Sequence, residues 1–128
     1  MWSSEEAEGK VLYVMTHGVD DPARCATPFF LSAAAAAMGC EVAIYFTMHG
    51  PQLLQREVVD KIGPKGDSGQ PLRYFVEQAT ELGVRLLVCQ PSLDLNDLAL
   101  EDLIDDVKMI GGAAFNEMAM EADAVVTF

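Results

Sequence analysis

Three side chains in this sequence stand where chemistry is possible: Cys89, His17 and His49. Cys89 closes the apolar run Val84-Arg85-Leu86-Leu87-Val88 and is followed by Gln90-Pro91-Ser92-Leu93-Asp94. A thiol reacts as its thiolate, which the N–H groups at the start of a helix or a nearby imidazolium stabilise. Ser92 and Asp94 are the supporting positions beside it, and Asp94, Asp97, Glu101 and Asp102 bring negative charge that opposes ionisation. His17 follows the first apolar run and His49 the second. His17, His49 and Cys89 have ligand types that suit a transition metal. Three separate loops would have to converge within a few ångströms to use them, so the expectation is no metal.

Cys25 and Cys40 read as small packing residues. Three cysteines, an odd number without a C-x-x-C pair, argue against a disulfide framework or a structural zinc site and fit the reduced thiols of a cytoplasm. The first strand is followed by neither G-x-G-x-x-G nor a Gly-rich loop ending in Lys-Ser or Lys-Thr, and G-x-S-x-G is absent. Nucleotide chemistry and triad hydrolysis therefore lack support, and no cofactor is expected.

The elements that must position these residues follow from hydrophobic periodicity. Residues 10–15, 41–46 and 84–89 are apolar runs that hardly alternate, as strands buried on both faces do. Residues 107–110 and 124–128 read as two further short strands. Between them the spacing predicts a helix over 22–38, opened by Asp21-Pro22 and stopped by Gly39. A short helical piece over 52–59 and a surface loop over 60–71 come next. A helix over 71–82 shows Leu72, Phe75, Val76 and Ala79 on one face. An acidic helix is expected near 98–104, and another helix over 112–121. Alternating strands and helices imply one domain over 1–128, with residues 1–9 as an amino-terminal tail. Its architecture is a mostly parallel, five-stranded, three-layer α/β/α sheet. Ligands gather at the carboxyl ends of such strands, where all three candidate residues fall.

The formal net charge of −12 on 128 residues repels phosphate backbones and anionic lipid, so neither nucleic acid nor a membrane is an expected partner. The acidic start Trp2-Ser3-Ser4-Glu5-Glu6 lacks the charge pattern of a secretory signal, and the longest apolar stretch, 28–39, is too short to span a bilayer. The alanine run 33–37 and the apolar strand 124–128 suggest burial against another subunit.

The opening Val11-Leu12-Tyr13-Val14-Met15-Thr16-His17-Gly18-Val19-Asp20-Asp21-Pro22 resembles the DsrE/DsrF-like sulfur-relay family. The blocks Pro28-Phe29-Phe30-Leu31-Ser32, Glu41-Val42-Ala43-Ile44-Tyr45-Phe46-Thr47 and Val88-Cys89-Gln90-Pro91-Ser92 resemble it too, as does the ending 121–128. The likeness extends from about Lys10 to Phe128 and is nearest the branch often labelled predicted peroxiredoxins. It implies trimers or hexamers and a cysteine, matched by Cys89, that carries sulfane sulfur as a persulfide between donor and acceptor proteins. Two positions depart from the pattern. Ser92 stands where related sequences often have a second cysteine, and Asn96-Asp97 where an arginine–glycine pair is common. Without that second cysteine no local disulfide can close, which argues against a dithiol peroxidase cycle. The expected function is an intracellular sulfur carrier. The alternative is an oligomeric binding or scaffold subunit of the same fold that has lost the chemistry.

Overall fold

The computed structural model describes residues 2, 3 and 6–128. Five parallel strands form one sheet: β1 (Lys10–Met15), β2 (Glu41–Phe46), β3 (Arg85–Cys89), β4 (Val107–Ile110) and β5 (Ala124–Thr127). Their spatial order is β4-β3-β2-β1-β5. The helices are α1 (Thr27–Ala37), α2 (Leu72–Glu81), α3 (Gln90–Leu95) and α4 (Gly112–Glu121).

This order has a consequence for the site. From β1 to β4 the chain steps one way across the sheet, and right-handed crossovers keep those connections on one face. That face holds the larger core, in which Phe29 of α1, Val76 of α2 and Leu93 of α3 pack on Ile44, Phe46, Leu86 and Val88. From β4 the chain must travel back past β1, so the same handedness puts α4 on the opposite face. There Met118 and Phe115 cover Leu12, Val14, Tyr45 and Leu87. The connections after β3 and β4 therefore leave the sheet toward opposite faces. Between their carboxyl ends lies the topological switch point, where open parallel sheets form clefts. Cys89 is the last residue of β3, paired in register with Ile110 of β4.

Core packing is dense around two aromatic pairs. Phe29 and Phe46 have ring centroids 5.6 Å apart. Tyr45 and Phe115 are at 4.4 Å, which ties α4 to the strand beside Cys89. The alanines of α1 do what small residues allow: Ala35 is buried and Ala33 and Ala36 half-buried, so α1 lies close against β1, β2 and α2.

Three expected helices are corrected. The helix over 22–38 is instead a 3-10 turn, Pro22–Arg24, followed by α1 from Thr27. Pro28 has no N–H to give and its ring disfavours helical backbone before it, so it sits in the first turn of α1 rather than inside a longer helix. The acidic helix near 98–104 reduces to the 3-10 turn Leu100–Asp102, in which the Asp102 carboxylate accepts the Ala99 N–H at 2.8 Å. Leu103 then bridges to Gln55, and the Ile104 N–H reaches the Leu54 carbonyl at 2.8 Å. Pairing with that neighbouring segment outcompetes the helix. The piece over 52–59 is the 3-10 helix Gly50–Leu54.

Of the amino-terminal stretch 1–9, Met1, Ser4 and Glu5 lie outside the described residues. Trp2 is docked: its indole N–H donates to the Met118 carbonyl at 3.0 Å, and Ser3 binds the Glu41 carboxylate at 2.8 Å.

Candidate functional site

Cys89 is half-buried at the end of β3 and serves as the N-cap residue of α3. Strand alternation places its side chain on the same sheet face as Leu87 and, one strand over, Tyr45. Burial pushes the thiol up, as the largest single effect. It is outweighed by the polar groups around the sulfur, in order the Ser92 hydroxyl, the Tyr45 hydroxyl, the Ser92 backbone N–H and the Thr47 hydroxyl, each of which favours the thiolate. The net result lies below the ordinary thiol range. The sign follows from the donors: each stabilises the thiolate more than the thiol. Its partner Tyr45 moves the opposite way, because burial and the neighbouring sulfur both disfavour a phenolate.

Ser92 is nearly fully buried and has its own supports. Its oxygen accepts the Met48 N–H at 2.8 Å and lies 3.1 Å from the Thr47 hydroxyl. With one lone pair filled by Met48, its proton is free to point at the sulfur. Pro91 at the second helical position suits the start of α3, where its missing N–H costs nothing.

Around this centre runs a network that joins three loops. The Val19 N–H donates to Gln52 Oε1 at 3.0 Å, which fixes the orientation of the Gln52 amide. Gln52 Nε2 then donates to Asn96 Oδ1 at 2.9 Å. Asn96 Nδ2 donates to the Met48 carbonyl at 2.7 Å and to the Ser92 carbonyl at 2.6 Å. His49 Nδ1 lies 3.2 Å from Asn96 Oδ1, an acceptor, so Nδ1 is the donor of this bond, and the residue is exposed. Gly18 is obligatory here, because a Cβ would fall on the Gln52 amide and 2.6 Å from the His49 carbonyl.

Of the residues singled out from sequence, Cys89 and Ser92 are brought into contact. His49 joins through Asn96. His17 lies on the loop after β1, where Nδ1 meets the Thr16 hydroxyl at 3.1 Å. That hydroxyl donates to the Phe128 carbonyl at 2.6 Å, so the ring nitrogen is the donor. Neither histidine is among the groups acting on the Cys89 thiol, nor is the exposed Asp94. Among the described residues, no three of His, Cys, Asp and Glu converge on a metal position.

Cys25 is fully buried and its thiol is pushed up to about 11, by burial first and then by Asp21, against an opposing backbone hydrogen bond. Cys40 lies at the start of β2, at the end of the sheet opposite Cys89. Tyr45 and Thr47 are the positions beside the Cys89 thiol that sequence reading missed. The available signal was a tyrosine and a threonine at and just beyond the end of a strand bound to neighbour the Cys89 strand.

Arg56, Arg73 and Arg85 line a cavity of about 420 Å³ near the amino ends of β3 and β4. Each is paired with an acid, Asp105, Asp60 and Glu41 respectively, so no free anion site results.

The sequence profile of the DsrE/DsrF-like family matches residues 9–128. A sulfur carrier protein, DsrE2 of Allochromatium vinosum, is 30% identical over 134 aligned positions that cover 75% of this chain and 84% of that protein. Among solved structures, the ychN protein from E. coli superimposes with a TM-score of 0.77 at 18% identity, covering 94% of this chain and 99% of its own. MTH1491 from Methanobacterium thermoautotrophicum, a protein of unknown function, gives 0.73 at 17% identity, covering 94% and 100%.

Proposed function

This chain belongs to the DsrE/DsrF-like family, and from that premise we propose that it is a sulfur carrier holding sulfane sulfur as a persulfide on Cys89. One observation carries the reading. A half-buried cysteine ends β3 at the switch point of the sheet, its thiol lowered by the Ser92, Tyr45 and Thr47 groups around it. The similarity to a protein named as a sulfur carrier supports it.

The chemistry is two thiol–persulfide exchanges. In loading, the Cys89 thiolate attacks the outer sulfur of a donor persulfide. A new S–S bond forms to Cys89, the donor's S–S bond breaks, and the electron pair leaves with the donor thiolate. In release, an acceptor thiolate attacks the outer sulfur now on Cys89, and the Cys89 sulfur departs as thiolate. Redox balance is kept throughout, and no outside oxidant or reductant is needed. The same polar surroundings serve both steps: they raise the thiolate fraction for attack and stabilise the leaving thiolate on release. Ser92 and the positions of Tyr45 and Thr47 thereby supply what a second cysteine does not. His49 and His17 border the same end of the sheet, and the exposed His49 is available there to a partner. Asp94 is an exposed acid on the same short helix, α3, available to a partner's cationic group.

The test is sulfide release. Protein treated with a small-molecule persulfide and desalted should liberate sulfide on reduction. Cys89→Ser should lose that yield, while Cys40→Ser keeps it. Equal yields from Cys89→Ser would reject the proposal.

The partners of this reading are a sulfur donor protein, an acceptor protein and further copies of the chain, in a cytoplasm where thiols stay reduced. No described helix is long and apolar enough to cross a membrane. The exposed Phe30 of α1 and Leu82 just beyond α2 line one shallow groove with Ala33 and Ala34, an apolar patch that suits a trimer or hexamer contact.

A further inference from the structure

We infer that Asn96, braced by Gln52, is a positioning residue that holds the Met48 backbone in a left-handed conformation and so aims the Ser92 hydroxyl at Cys89. The inference deepens the reading of Cys89 as the sulfur-bearing residue and rests on it for its functional meaning. Its geometry stands independently.

Met48 has φ of 53°, a conformation that is unfavourable for a residue bearing a side chain. Something must hold it there. The Met48 carbonyl accepts from Asn96 Nδ2 at 2.7 Å, and the Met48 N–H donates to Ser92 Oγ at 2.8 Å. The same Nδ2 donates at 2.6 Å to the carbonyl of Ser92. One amide nitrogen therefore ties together the two residues whose contact sets the Ser92 rotor. The orientation of that amide is fixed in turn: Oδ1 accepts from Gln52 Nε2, and Gln52 is anchored by the Val19 N–H. The Met48 side chain itself is 55% exposed and contributes little packing to keep the loop in place. The restraint is polar. The Asn96 amide acts beside the turn's own bonds, from the Gly50 N–H to the Thr47 carbonyl at 2.9 Å and from the His49 N–H to the Thr16 carbonyl at 3.2 Å. Among the described residues it alone ties Met48 to the Ser92 backbone.

Without the Asn96 amide, Met48 is released toward right-handed backbone. Its N–H then swings away from Ser92 Oγ, and the hydroxyl is no longer held toward the sulfur. Asp at this position would accept from Gln52 but present a carboxylate to the carbonyls of Met48 and Ser92, so its shape alone does not suffice.

The experiment is the rate of alkylation of Cys89 by iodoacetamide against pH, followed by mass spectrometry of the labelled peptide. It uses the full chain and the variants Asn96→Ala, Asn96→Asp, Met48→Gly and the double variant Asn96→Ala/Met48→Gly. Asn96→Ala and Asn96→Asp should move the midpoint of the profile upward and lower the rate at neutral pH about threefold to tenfold, with rates converging at high pH. Met48→Gly alone should resemble the parent. The double variant should recover at least half of the lost rate, because glycine occupies positive φ without restraint. Circular dichroism melts show which variants are folded at the assay temperature. An unmoved midpoint in Asn96→Ala overturns the inference, as does a double variant no better than Asn96→Ala. Alkylation reads the thiolate and not sulfur transfer. A parent that fails to load sulfur would therefore strike at the proposed function while leaving this inference intact.

Discussion

Replacing Ser92 by alanine removes one oxygen and isolates how much of the Cys89 reactivity is built by hydrogen bonding. Three interactions are lost: the hydroxyl acting on the sulfur, the hydrogen bond with the Thr47 hydroxyl and the acceptor for the Met48 N–H. A hydrogen bond to a charged acceptor is worth about 1.5–3 kcal/mol. Cys89 is half-exposed, water replaces part of the loss, and the lower end applies. About 1.4 kcal/mol corresponds to a tenfold change in an ionisation constant. The Ser92→Ala thiol should thus ionise about tenfold less readily, with alkylation near pH 7 slowed in proportion. Well above the ordinary thiol range both proteins are thiolate, and the rates should meet. Losing the acceptor of the Met48 N–H should also lower unfolding stability by about 1–2 kcal/mol, read from urea melts. The assay is the pH profile of iodoacetamide alkylation at Cys89, in a Cys40→Ser background so that the other accessible thiol is silent. Coincident midpoints for parent and Ser92→Ala would refute the idea that the hydroxyl sets the thiolate.

Tyr45→Phe keeps the ring on Phe115 at 4.4 Å but deletes its hydroxyl, so the Cys89 profile should shift upward with little change in melting temperature. Cys25 should make the fold sensitive to alkali. Its thiol is pushed up to about 11 in the folded state, so above the ordinary thiol range the unfolded chain loses a proton that the folded chain keeps. Stability then falls as pH rises toward 11, by up to about 3 kcal/mol, and Cys25→Ala melts should show a flatter alkaline limb. Cys89 works in the opposite sense: its folded-state contribution is present above the ordinary thiol range and lost as pH drops through its lowered value. Gly18→Ala should drive the Gln52 amide and the His49 carbonyl apart, lowering both the melting temperature and the alkylation rate of Cys89. The proposed oligomer contact predicts that Phe30→Glu lowers the mass seen by analytical ultracentrifugation to that of a single chain without unfolding it, since Phe30 is exposed in the isolated subunit; a parent that already sediments as a single chain would contradict the contact.

The strands were legible because parallel strands buried on both faces leave uninterrupted apolar runs, and all five are present within a residue or two of where the sequence places them. Helix boundaries were less so. Pro28 was read as part of an apolar run rather than as a helix start, and the acidic segment before β4 turned out to be held by pairing with residues near Leu54, which no local pattern encodes. The place of Cys89 in the fold was legible from the alternation of elements, and Ser92 from its spacing. The contributions of Tyr45 and Thr47 depend on register between β2 and β3, where Phe46 opposes Val88, and on which face each side chain takes. Asn96 was visible only as a departure from the family pattern. Its role needs the three-dimensional meeting of the loops at Val19, Met48 and Ser92.

The central claim is that Cys89 carries sulfur. Intact-mass spectrometry of the parent protein after exposure to a sulfane-sulfur donor, with Cys89→Ser treated alongside, tests it most directly. The account predicts a gain of sulfur on the parent that reductant reverses and that Cys89→Ser lacks. No gain on the parent, under conditions where an exposed control thiol loads, would contradict it and point to a binding subunit of the same fold.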